Sequence, residues 1–151
     1  MAIMSDTNIE KRMEAALVIG KRTLESLRMA QNKLENIRNW EVRERSGKNL
    51  FASMMKNMKI SDMQEDLVQA KNDVLQFQIV LKSISMPEEI KKVTRIFISF
   101  ANFFLDGTID EYLLKAEVNS VREQVEDAIN DVEKVCEALE KWCNDKKRKF
   151  S

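Results

Sequence analysis

Towards the C-terminus, Val118, Val125, Val132 and Leu139 recur every seven residues, and Val121, Ala128, Val135 and Trp142 repeat that interval three positions later. A sustained spacing of this kind draws one narrow apolar stripe along a helix, and such a stripe needs another helix to cover it. The chain is thereby constrained to helix packed on helix, an all-α fold.

The rest of the sequence agrees. Three glycines and one proline leave few helix breakers, while 44% hydrophobic and 33% charged residues suit a chain of 151 residues that folds as a single helical domain, 1–151. The spacing predicts a first helix over 6–45, with Ile9, Met13, Leu17, Leu24, Leu27, Leu34 and Ile37 on one side and Thr7 with Glu10 as a capping box. Ser46 and Gly47 break that pattern. A short basic amphipathic segment follows over 48–60, and Met63, Leu67, Ala70, Val74, Phe77, Leu81 and Ile84 then mark a helix over 61–85, opened by Ser61 and Gln64 and stopped before Pro87. Residues 88–105 are rich in Phe and Ile and suit either a strand or a helix. No partner strand exists, so a helix is expected, central because it is apolar nearly all round. Asp106 and Gly107 end it, Thr108 with Glu111 caps a long last helix over 108–147, and the basic tail, 146–151, is expected to fray.

Short connections make neighbours antiparallel, giving an elongated, coiled-coil-like bundle of four main helices. The lengths do not match. The two middle helices span roughly 37 and 27 Å, whereas the first and last approach about 60 Å. Val132, Val135, Leu139 and Trp142 would then face Ile9, Met13 and Leu17 with too little outside cover, which marks a self-association seam and a homo-oligomer, a dimer in the simplest case. Net charge is zero, yet residues 1–60 carry 12 basic and 7 acidic side chains and residues 106–144 carry 4 and 11. The two ends are electrostatic complements, favouring the last helix against the first.

Chemistry is sparse. The absence of histidine removes the commonest acid/base group and neutral metal ligand together. Glu123, Asp127 and Asp131 stand one turn apart on the last helix, but without a Glu-x-x-His element they read as a solvated acidic face. Gly47-Lys48-Asn49 lacks the rest of a phosphate loop. Cys136 and Cys143, about 10 Å apart along one helix, cannot bridge each other and read as small apolar positions. These observations imply no enzyme, no metal and no cofactor. Zero net charge with one short basic run, Lys146 to Lys149, argues against a nucleic-acid partner. Met1 to Glu10 holds no signal-like apolar run, and Ile96 to Leu105 is about half a membrane span, so a cytoplasmic protein is expected.

One surface stands out. Leu50, Phe51, Met54, Met55 and Met58 share a side of the 48–60 segment, flanked by Lys56 and Lys59. Methionine adapts to irregular partners, so this is a candidate docking face for an unknown protein. The alternative is contact with a membrane surface through the same segment and the Phe-rich stretch 96–105.

Trp40, the run Ser53-Met54-Met55-Lys56-Asn57-Met58-Lys59-Ile60 and the run Phe100-Ala101-Asn102-Phe103-Phe104-Leu105-Asp106-Gly107 carry a resemblance. From Trp40 to Val125 the chain resembles uncharacterised helical proteins of Gram-positive bacteria, in which a tryptophan precedes a Gly-Gly-Gly turn, a Ser-x-x-Lys-x-x-Lys-Ile-Asp run and a Phe-Ala-Asp-x-Phe-Phe-Asp-Gly element. Here the triplet is reduced to Gly47, the acid after Ala101 is Asn102, and Ser61 follows Ile60 with Asp62 displaced by one. The resemblance implies an all-helical fold and adds nothing to function, since the group has no established activity. The expected role is therefore non-enzymatic protein association.

Overall fold

The computed structural model describes the backbone of residues 6–46, 50–114 and 117–150, and the side chains of 8–37, 63–112 and 117–148. Five helices follow one another: α1 (Asp6–Ser46), α2 (Leu50–Lys82), α3 (Glu88–Leu105), α4 (Thr108–Leu114) and α5 (Val118–Phe150). No strand occurs among the described residues.

The chain is an all-α bundle in which α1 lies between α2 and α5, and α3 closes the other side by packing on the same two helices. Direction follows from the pairs. Lys33, Ser26 and Arg12 of α1 meet Asp66, Asp73 and Ser83 in turn, so α2 runs antiparallel to α1. Along the other flank Glu35, Arg28, Lys21 and Glu14 meet Arg122, Glu133, Glu140 and Lys147, so α5 is antiparallel to α1 as well. The expected pairing of the first and last helices is thus present. Two of these four ion pairs, the outermost, carry the acid on α1 and the base on α5, against the overall charge bias of the two segments. Each is partly exposed and worth about 0.2–1 kcal/mol, so they align helices that burial holds together.

Three boundaries differ from the periodicity. The 48–60 segment and the 61–85 helix are one element, α2, because nothing between Leu50 and Lys82 is glycine or proline. Ser61 and Gln64 fall inside it, where a helical backbone gives a capping residue no free N–H to satisfy. α2 stops three residues earlier than expected: Ser83 N–H is shared between the Ile79 and Val80 carbonyls, both at 3.2 Å, and Ile84 turns inward ahead of Pro87.

The expected last helix, 108–147, is two helices. Ile109 and Val118 are both buried. Nine residues at 100° each would put them on opposite sides of one straight helix, so covering both requires a break. It is closed by Glu117 N–H donating to the Tyr112 carbonyl at 2.7 Å. Asp106, not Thr108, caps α4, accepting from Thr108 N–H at 2.9 Å and from the Thr108 hydroxyl, which holds this exposed carboxyl below its usual range. Gly107 before it has φ +99°, a backbone that side chains resist. The helix continues past 146: α5 runs to Phe150, Lys147 reaches Glu14 at 3.3 Å, and Lys146 lies 5.3 Å over the Trp142 ring.

Nor is α3 central on every side. Ile90, Thr94, Phe97, Ala101 and Phe104 face inward, but Ile96 and Phe103 are about half exposed, at 53% and 46%. No helix among the described residues is long and apolar enough to cross a membrane.

Candidate interaction surface

Three helices approach one another closely at Gly20. A Cβ there would stand 2.6 Å from Cys136 Sγ and 2.8 Å from Phe77 Cζ, so α1, α2 and α5 converge on a position with room for hydrogen alone. Phe77 also packs on Phe97 with ring centroids 5.1 Å apart, tying α3 into the same cluster. Burial pushes the Cys136 thiol up to about 11, against the pull of Lys21, and raises Cys143 as well. Both are buried and free. Because the folded state keeps a proton on Cys136 that the unfolded chain releases near pH 9, stability should fall as pH rises from about 9 to 11. Cys136→Ala should flatten that slope in urea titrations at graded pH.

A buried polar cluster lies inside the α1/α2 seam. Asp73 is 4% exposed and accepts from Ser26 Oγ at 2.6 Å and from Gln69 Nε2 at 3.2 Å, with Arg22 Nε 3.5 Å away. Thr23 Oγ1 donates both to the Ile19 carbonyl within its own helix and to the Asp73 carbonyl. Such a cluster fixes register, since sliding α2 by one residue would bury the carboxylate without donors. Ser26→Ala removes the shortest of these bonds and should cost about 1–3 kcal/mol in denaturant unfolding.

The sequence-expected seam is core. Val132, Val135, Leu139 and Trp142 are 0, 1, 0 and 8% exposed within a single chain. The expected lack of cover is corrected here: α3 packs on α5, and Glu89 and Ile90 at its N-terminal end line a small pocket together with Ala138 and Trp142, giving this end of the bundle cover that length matching left out. The expected docking face, Leu50, Phe51, Met54, Met55, Met58, Lys56 and Lys59, belongs to the first turns of α2, and its side chains lie outside the described residues.

Where that end of the bundle meets the α2–α3 turn, an open cleft of about 610 Å³ is lined by Ile9, Met86, Pro87, Trp142, Lys146 and Arg148 among others. Glu89 and Asp145 line it too, so its charge is mixed. Among the described residues no three His, Cys, Asp or Glu side chains gather as a metal site. Asp131 of the acidic face is partly buried, which raises its carboxyl against the pull of Lys134.

The surface that sequence reasoning missed is the back of α2. Its inner row, Met63 to Leu81, is buried, yet Val68, Leu75 and Ile79 stand 58, 39 and 52% exposed on the opposite side. With Glu65, Asn72 and Lys82 they form a second row at steps of three and four, and all six are exposed. α2 is thus apolar on two faces, only one of which the described residues cover. The interruption by Asn72, with Glu65 and Lys82 at the two ends, hid the row in the sequence. Comparison with protein-family models, curated proteins and solved structures yields no match to this chain.

Proposed function

We propose that this chain is a non-enzymatic helical interaction protein whose working surface is a helix face, with the outer row of α2 as its described part. The observation that carries this reading is the double-faced α2: Val68, Leu75 and Ile79 are exposed although the same helix already fills the core with its other side. Exposed apolar residues scattered singly need no explanation, but three in heptad register on one helix form a strip that another helix can cover. Chemical cross-linking inside intact cells tests the reading. Adducts of the chain should form and should disappear when Val68, Leu75 and Ile79 are all replaced by serine; no adducts, or adducts indifferent to the substitutions, would overturn it.

A second reading has one specific observation behind it. Ile96 and Phe103 are exposed on α3, with Lys92 and Arg95 exposed nearby along the same helix, a pattern suited to a membrane surface. Flotation with anionic vesicles at low salt decides it: binding lost in an Ile96→Ser, Phe103→Ser variant supports it, and a chain that stays at the bottom removes it.

A further inference from the structure

The outer row of α2 is self-complementary when turned end to end. Its members, Glu65, Val68, Asn72, Leu75, Ile79 and Lys82, advance by 3, 4, 3, 4 and 3 residues, the spacing of a two-helix seam. Reversing the row about its midpoint, between positions 73 and 74, places Val68 on the partner subunit's Ile79, Asn72 on the partner subunit's Leu75, and Glu65 on the partner subunit's Lys82. Two-fold symmetry makes each match twice. We infer that the occupant of this strip is a second copy of the chain, docked antiparallel through α2, an inference that rests on the helix-face reading above and names its partner.

Charge selects the direction. A parallel pairing would set Asn72 against its own copy, which is tolerable at a seam, but would also set Glu65 against Glu65 and Lys82 against Lys82 at the two ends. The antiparallel pairing turns both repulsions into ion pairs. All six residues are exposed in the single chain and none belongs to the buried core, so a second copy can reach them without any rearrangement of the bundle. A strip about 27 Å long is a small interface, placing the dimer in the weak class.

Sedimentation equilibrium of the full chain at about 100 µM should return a mass approaching twice the monomer, with Leu75→Lys monomeric at unchanged melting temperature because Leu75 is 39% exposed. Glu65→Lys should weaken the dimer about tenfold, since symmetry counts the new repulsion twice, and adding Lys82→Glu should restore it. Direction is read by oxidation: a Val68→Cys chain mixed with an Ile79→Cys chain should form the mixed disulfide, and neither should pair with itself, while the native Cys136 and Cys143 stay buried. Self-pairing of the Val68→Cys chain would overturn the antiparallel arrangement. A monomer throughout would overturn the second copy. If cellular adducts still depended on Val68, Leu75 and Ile79, the broader reading would survive with a different protein as partner.

Discussion

Phe77→Ala should lose about 3–5 kcal/mol of stability, a large share of the 5–15 kcal/mol available to an ordinary domain. The ring is fully buried, rests on Phe97 of α3 and meets Gly20 of α1 opposite Cys136 of α5, so its removal opens a void at the point where all four long helices come together. No neighbour can fill that void at low cost, because the surrounding backbones are already held at a glycine contact. Gly20→Ala makes the companion measurement. In the wild-type chain its Cβ would crowd Phe77 Cζ at 2.8 Å and Cys136 Sγ at 2.6 Å, costing about 1–3 kcal/mol against roughly 1 kcal/mol of improved helix propensity. In the Phe77→Ala background half of that crowding is gone, and the same substitution should become neutral or stabilising. Urea unfolding of the four chains of this cycle reads the coupling directly, and strict additivity would show that the two residues do not share a packing contact.

What the sequence made legible here is periodic, and what it hid is geometric. The inner rows of α1, α2 and α5 read off spacing because a stripe repeated over several turns has one consistent outcome, burial. The Gly20 contact had a signal, a small residue among larger ones on the inner side of the first helix, but which helices close upon it depends on how three stripes intersect. The break between α4 and α5 was open to arithmetic in principle, since Ile109 and Val118 cannot share one face, yet only the position of the bundle shows that both must be covered. The same limit applied to α3, where Ile96 and Phe103 resemble core residues in composition and prove exposed once α2 and α5 have taken their sides. Candidate surfaces were harder still. The apolar members of the outer row of α2 are broken by Asn72 and bounded by Glu65 and Lys82, so a search for continuous stripes passes over it, and the length argument that favoured Val132 to Trp142 failed because α3 packs on α5 at the open end.

Trp142→Ala separates the two accounts of that end. Were the residue part of a seam between subunits, truncation would lower the association constant and leave the monomer's melting temperature unchanged. The structure requires the opposite. Trp142 is 8% exposed in one chain, beside Ile90 and Ala138, with the Lys146 ammonium 5.3 Å over its ring, so alanine should cost about 3–5 kcal/mol of stability. Lys146→Ala removes only the cation and should cost about 0.5–1 kcal/mol. For a chain of this size a loss of about 3–5 kcal/mol lowers the melting temperature by roughly 6–20 °C, at a chain concentration low enough that any dimer has dissociated. A Trp142→Ala chain that melted with the wild type under those conditions would return the residue to the surface and, with it, the C-terminal stripe to the role of a subunit interface.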